Sequence, residues 1–387
     1  MKFISACAAA AIIAMGIPAM HAQSPIEPPL TGYELVFSDE FEGNRLDTLA
    51  WWASGKNACV THGAGHCEED MWYKPENIAV QEGRMFITAK EDPTTCDGKF
   101  KEYSSGWVQT GGNFKYGYYE IRAKIPAGNG FWPAFWLTAP DIDLAYDEID
   151  VFEFCGCNCK KYQAGYFYEI DHDSILANNV QHEHAKIRIG NNACENFNTY
   201  GVEWTASHIR FFLNGDLVST YSNQNVHDPM ALILNLAVGG CYGGCNWTYC
   251  GSLSWDTDNG CHVTCKTTFP QTYEIDWVRG WQKTREAVYV VGEREMRVGN
   301  GGALRVPQYP HARYEWSFTP GLQVAPDTAH LNFDRGIWQY AAVTALRAGS
   351  ESVTVSVTFP GGYTETQTHL IEVGPFVDPE NQDTEID

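Results

Sequence analysis

Residues 147–154 read DEIDVFEF. Glu148, Asp150 and Glu153 are carboxylates set among Ile149, Val151, Phe152 and Phe154, which favour strands and cores. Successive side chains on a strand point to opposite faces, so Glu148 and Asp150 share a face that Ile149 and Val151 do not. Glu153 falls on the wrong face of a regular strand. One extra residue, a β-bulge at Val151 or Phe152, brings it back. Glu148 and Glu153 are then effectively four steps apart, about 13 Å between Cα atoms. If each side chain leans about 4 Å inward, the gap is about 5 Å, the spacing of the two carboxyls in configuration-retaining glycosidic cleavage. Two carboxyls this close do not both ionise cheaply, so one keeps a proton as the acid while the other stays a nucleophile. The alternative is a solvated strand edge carrying guarding charges. The apolar flanks and an aromatic cluster a dozen residues upstream weigh against it.

That cluster is FWPAFW. Trp132, Ala134 and Trp136 alternate with Phe131, Pro133 and Phe135, so a regular strand puts both indoles on one side, lining a cleft or filling a core. The elements around these residues read as strands: ENIAVQEGRMFITAK, YGYYEIRAKI, HIRFFLNGDLVSTY, ALILNLAV and YEIDWVRGWQ, with turn signals at Glu82-Gly83 and Asn214-Gly215. No long helical period interrupts them. The expected fold class is all-β, with a β-sandwich or jelly roll over residues 30–284. Near Arg285 cysteine vanishes, and about seven short strands follow in about ninety residues, the size of an immunoglobulin/PKD-like β-sandwich over 285–375. Residues 376–387 form an acidic tail of disordered composition.

Residues 1–22 read as a signal peptide, with Lys2 ahead of an apolar run too short to span a membrane. A secreted, periplasmic or cell-surface location is therefore expected. Of thirteen cysteines, Cys7 leaves with the signal and the remaining twelve suggest disulfides. The close sets Cys155, Cys157, Cys159 and Cys241, Cys245, Cys250 alternatively suit metal thiolates. The formal charge of −22 argues against nucleic-acid or anionic-membrane partners. Abundant Trp and Tyr in an acidic exported chain suit stacking on carbohydrate, although a sandwich core also uses them. A polysaccharide partner and a monomeric chain are expected.

Seven segments resemble glycoside hydrolase family 16, in matching order: LVFSDEFEGNRLDTLAWW, ENIAVQEGRMFITAK, KYGYYEIRAKIPAGNGFWPAFWL, DEIDVFE, NTYGVEWTASHIRFFLNGD, LILNLAVGG and YEIDWVRGWQ. The resemblance covers roughly residues 33–282. It implies a curved jelly roll with an open cleft, and retaining cleavage of β-1,3- and β-1,4-linked glucans or galactans. By the same resemblance Glu148 is the nucleophile, Glu153 the general acid/base and Asp150 the helper between them. It favours Trp132 on the cleft floor, stacking on a sugar, and makes Asn235 a polar cleft residue; otherwise that Asn needs a buried partner. His182 or His184 matches a cleft histidine, or the two form a surface pair. A structural calcium maps to Asp276 with the carbonyls of Glu40 and Gly83, unless Asp276 bonds within a turn. No cofactor is expected for cleavage itself.

Departures from the family pattern bear on the substrate. The chain reads YDEID after DIDLAYD, its loop at residues 239–266 is long and cysteine-rich, and Trp107 stands where Arg is frequent. Trp107 suggests stacking on an uncharged sugar, and no Lys or Arg occurs from Ala127 to Phe154. The expectation is a secreted endo-acting β-glycanase on β-1,3-glucan (laminarin) or mixed-linkage glucan. An algal galactan (agar, porphyran or carrageenan) is the second expectation, and a non-catalytic carbohydrate-binding protein on the same fold is the third. Residues beyond 285 are expected to be dispensable for bond cleavage.

Overall fold

The computed structural model describes residues 28–376 apart from 56–57, 63–67, 111–113, 140–146, 157, 170–179, 240–266, 284–287, 325–337 and 360–361. The signal segment, the loop at 240–266 and residues 377–387 lie outside the described residues. The chain is all-β, with one short 3-10 turn at Pro75–Asn77 among the described residues. No helix among them is long and apolar enough to cross a membrane.

Seven strands make the sheet that carries the carboxylates. Their order is Val180–Arg188, Lys161–Glu169, Glu148–Glu153, Phe131–Thr138, Ala231–Val238, Trp107–Thr110 and Trp51–Ala53. A ten-stranded sheet faces it, with Gly117–Lys124 and Gln271–Lys283 at its middle. Alternation does the assembly. Val108, Phe135, Leu137 and Ile149 of the first sheet and Met85, Ile87, Ile121, Val202 and Ile275 of the second are buried in one apolar cluster. Their polar neighbours in sequence point outward. The turn signals hold: Glu82 and Gly83 have φ of 55° and 68°, and Asn214 and Gly215 have 51° and 84°. This is the left-handed pair that a two-residue hairpin needs.

Two four-stranded sheets follow Val288. One contains Val291–Gly292, Gly301–Pro307, Trp338–Ala345 and Leu322–Val324; the other contains Glu295–Arg297, Thr364–Gly374, Gly349–Thr358 and Arg313–Phe318. They have their own core around Leu304, Val343, Val353 and Ile371. They also share one with the larger sandwich, because Val306, Tyr309, Val355, Val357 and Phe359 belong to its main apolar cluster. Tyr309 packs edge-on against Phe114, with ring centroids 5.6 Å apart, and its hydroxyl donates to Gln282 Oε1 at 3.1 Å.

Cys59 bonds to Cys96 and Cys159 to Cys194, and Cys155 is also in a disulfide. These five cysteines are therefore not metal thiolates. Cys157, Cys241, Cys245 and Cys250 lie outside the described residues.

Candidate active site

The carboxylate strand contains the bulge. Against Phe131–Thr138, Asp150 pairs with Trp136 and Phe152 with Phe135, so Val151 is the extra residue. Against Lys161–Glu169, Asp150 pairs with Gly165 and Glu153 with Gln163, one residue out of step in the same place. The cause is visible in the packing. Val151 is buried in the main core, and the Phe152 ring lies 4.6 Å from Tyr200 and 6.0 Å from Tyr273 of the facing sheet. Two consecutive side chains point inward, which returns Glu153 to the face of Glu148 and Asp150. Residues opposite one another across strands share a face. Asp150 therefore lies in line with Trp136, and Glu153 in line with Ala134 and Asn235.

The three carboxyls do not stand in equal surroundings. Asp150 is buried and its pKa is raised well above the ordinary range, by burial first and then by the charges of Glu148 and Glu153 and a hydrogen bond with Glu148. Its Oδ2 has no hydrogen-bond partner among the described residues. Glu153 is raised by burial and by Glu148, against the lowering effect of Trp132, whose Nε1 donates to Glu153 Oε1 at 3.1 Å. Glu148 is the half-buried member. Just ahead of it, Asp147 Oδ2 accepts the main-chain N–H groups of His227 and Asp228 at 2.8 and 2.9 Å, which pins the entry to the strand. Burial pushes Asp147 up to about 6.

Trp132 and Trp136 are both half-buried on the carboxylate face, flanking Ala134. Trp136 Nε1 donates to Asn235 Oδ1 at 2.9 Å, and Asn235 Nδ2 donates to the Tyr73 hydroxyl at 2.9 Å. Asn235 thus has buried partners and also faces the carboxylates. Trp107 differs from the expectation. It is 6% exposed, and the His62 ring stacks on it at 4.3 Å, so its indole does not offer an open face to a sugar. Trp136 and Tyr73 meet it edge-on. The covering His62 comes from a segment distant in sequence, which strand alternation cannot reveal. Tyr73, His62 and Glu69, which ties them together, were not singled out by the sequence.

Comparison with known proteins gives the family. The family described as glycosyl hydrolases family 16 matches residues 68–279. The chain belongs to glycosyl hydrolase family 16. A beta-glucanase of Rhodothermus marinus is 32% identical over 239 residues, covering 55% of this chain and 78% of its own length. Glucan endo-1,3-beta-glucosidase A1 of Niallia circulans is 27% identical over 301 residues. That match covers 67% of this chain but only 39% of the relative, so the chain spans less than half of it. The solved laminarinase catalytic domain of Thermotoga maritima MSB8 superposes with a TM-score of 0.52 at 25% identity, over 65% of this chain and 99% of that domain.

Two further parts of the family 16 domain bear on the site. His182 and His184 are exposed on the edge strand, rings stacked with centroids 5.4 Å apart. They lie on the carboxylate face: His182 is opposite Phe167, which is opposite Glu148, and His184 is opposite Gly165, beside Asp150. Lys186 and Arg188 continue the same row. The edge of the carboxylate face therefore carries cations that the span from Ala127 to Phe154 lacks. Of the residues expected around a calcium, the Asp276 side chain is engaged by arginines: its Oδ2 accepts from Arg122 Nη1, and Arg84 Nε is 3.5 Å from Oδ1. Two guanidiniums around the one carboxylate do not fit a dication, so no calcium enters the reading below.

Proposed function

We propose that this chain is an exported endo-acting β-glycan hydrolase that retains configuration, acting on β-1,3-glucan or mixed-linkage glucan. The observation that carries the reading is the bulge-placed pair: Glu153, kept protonated by burial and by Glu148, on one face with Glu148. In the first step Glu153 gives its proton to the glycosidic oxygen as the Glu148 carboxylate attacks the anomeric carbon. Asp150, also protonated, donates to Glu148 and keeps it ionised and aimed. In the second step Glu153, now a carboxylate, takes a proton from water, and that water displaces Glu148 from the sugar. Trp132 lies against this acid and supplies a surface for the sugar beside the scissile bond. The endo action and the β-1,3 linkage draw support from the name of the Niallia relative, and laminarin as substrate from that of the Thermotoga domain.

The test is hydrolysis of laminarin by the wild type and by Glu148→Gln and Glu153→Gln. Each variant is expected to fold and to lose several orders of magnitude in kcat. Proton NMR of the first product should show the retained anomer. A Glu148→Gln enzyme with near-normal rates, or an inverted product, overturns the mechanism. Binding without any reducing-end release by the wild type turns the reading into a non-catalytic carbohydrate-binding protein.

A second substrate is favoured by one observation. His182, His184, Lys186 and Arg188 form a row along the carboxylate face, suited to an acidic substituent such as the sulfate of an algal galactan. Comparing laminarin with porphyran and κ-carrageenan at low salt decides between the two, because charge effects are then least screened.

A further inference from the structure

Glu69 lies outside the carboxylate strand, yet it ends a hydrogen-bond chain that begins at the cleft. Trp136 Nε1 donates to Asn235 Oδ1, and Asn235 Nδ2 donates to the Tyr73 hydroxyl, each at 2.9 Å. The Tyr73 hydroxyl donates to Glu69 Oε1 at 3.0 Å, and the main-chain N–H of His62 donates to Glu69 Oε2 at 2.9 Å. The direction of this chain is forced. An indole nitrogen only donates, so Asn235 must turn its oxygen to Trp136 and its amide nitrogen to Tyr73. Tyr73 has a single proton, and only an acceptor can receive it. Glu69 meets donors at both carboxyl oxygens, which suits a carboxylate and leaves an amide with one donor facing another. The other branch matters as well: His62, held through its main chain, lays its ring over Trp107. One buried side chain thus holds two parts of the aromatic wall.

We propose that Glu69 is a positioning residue, whose carboxylate orients Trp136 and Asn235 through Tyr73, and the His62–Trp107 stack directly, and so sets affinity for sugars bound beside the scissile bond. This rests on the reading that the cleft cleaves a β-glycan. The charged and titratable groups around Glu69 are few. Lys101 Nζ donates to its main-chain oxygen and pairs with Glu68 at 2.9 Å; Asp70 adjoins it. Burial holds the His62 ring below its usual range and Tyr73 well above its own. Burial also pushes Glu69 itself up to about 7. A protonated Glu69 loses one acceptor oxygen, so the chain slackens as pH falls through that value and tightens as pH rises.

Two variants test this. Tyr73→Phe removes one hydroxyl and keeps the ring, while Glu69→Gln keeps the shape and puts a donor where the chain needs an acceptor. In each, KM for laminari-oligosaccharides is expected to rise about tenfold, the scale of a lost hydrogen bond to a charged group. The kcat should change by less than about threefold. The double variant should be little worse than Glu69→Gln alone, since Tyr73→Phe cuts only the Trp136–Asn235 branch of what Glu69→Gln cuts. Without sugar, the wild type's indole fluorescence should titrate near pH 7 in a step that Glu69→Gln lacks and Tyr73→Phe reduces. Unchanged KM and an unchanged fluorescence step, even with a lowered Tm, overturn the proposal and leave Glu69 a structural residue. If Glu69→Gln does not fold, Tyr73→Phe alone decides. If the wild type cleaves no glycan, the function reading fails by itself, and the fluorescence step in wild type and Tyr73→Phe still decides the role of Glu69.

Discussion

At Glu153 burial and Glu148 hold the proton on, while the Trp132 N–H favours losing it. In the proposed cleavage Glu153 must be protonated, so activity is lost as pH rises through its pKa. Trp132→Phe removes the one favourable contact of the ionised form, and the pKa rises further. The alkaline limb of kcat/KM is therefore expected to move up by roughly one pH unit, the scale of one hydrogen bond to a charged group. The height of the profile should drop as well, because in the proposed cleavage the ring also serves the sugar. A limb that stays in place or moves to lower pH sinks this assignment of the acid. The three carboxyls were legible in the sequence because a period of two leaves one remedy for an odd spacing. Their protonation was not, since it depends on how deeply Asp150 and Glu153 are buried and on an indole twenty-one positions from Glu153.

With Val151 in the strand, the three acids share a face only through the bulge. Deleting Val151 removes the extra residue, and regular alternation then runs Glu148 out, Ile149 in, Asp150 out, Phe152 in and Glu153 out. Glu153 keeps its face and Phe152 its place in the core, while the buried Val151 side chain is lost, at a cost of about 1.5–3 kcal/mol. A lowered Tm with laminarin hydrolysis still measurable is expected. Hydrolysis at background in a folded variant would mean that the bulge does more for cleavage than set the facing of Glu153. Strands, hairpins and the shared face of Trp132 and Trp136 were legible because they follow from local alternation; which way that face points was not. Trp107 was misread because His62, forty-five positions away, covers it. The pairing of Asp276 with Arg84 and Arg122, which converge on it from two other strands, was not legible either. Such contacts arise between segments and leave no local pattern.

At the scale of the whole molecule the sequence suggested a catalytic sandwich and a separable module, but the two share buried contacts through Tyr309, Phe114 and Gln282. Those contacts lie away from the carboxylates in sequence and in sheet. A chain ending at Lys283 is expected to cleave short oligosaccharides at near-normal rates but to melt several degrees lower, because it exposes Phe114 and leaves Gln282 Oε1 without Tyr309. A Tm equal to that of the full chain would mean the shared core contributes nothing. Charge gives the final expectation. Glu69 and Glu120 are both pushed up to about 7 by burial, and Asp147 to about 6. Unfolded, each returns to its ordinary value near 4. Above pH 8 neither state holds these protons and below about pH 4 both do; in between only the folded chain holds them, so stability rises as pH falls from about 8 to about 5. Each of the two glutamates contributes on the order of 3 kcal/mol across that window. Easing the repulsion of a chain with net charge −22 acts in the same direction. His62 and His184, held below the usual histidine range, oppose it as pH falls through the unfolded value near 6.5 but are outweighed by the three carboxyls, while Glu203 and Asp92, also held low, oppose it only in stronger acid. Thermal melts in one buffer series should therefore give a Tm at pH 5 above that at pH 8 by at least a few degrees. A flat profile, or a higher Tm at pH 8, would mean that these buried carboxyls are ionised in the folded protein.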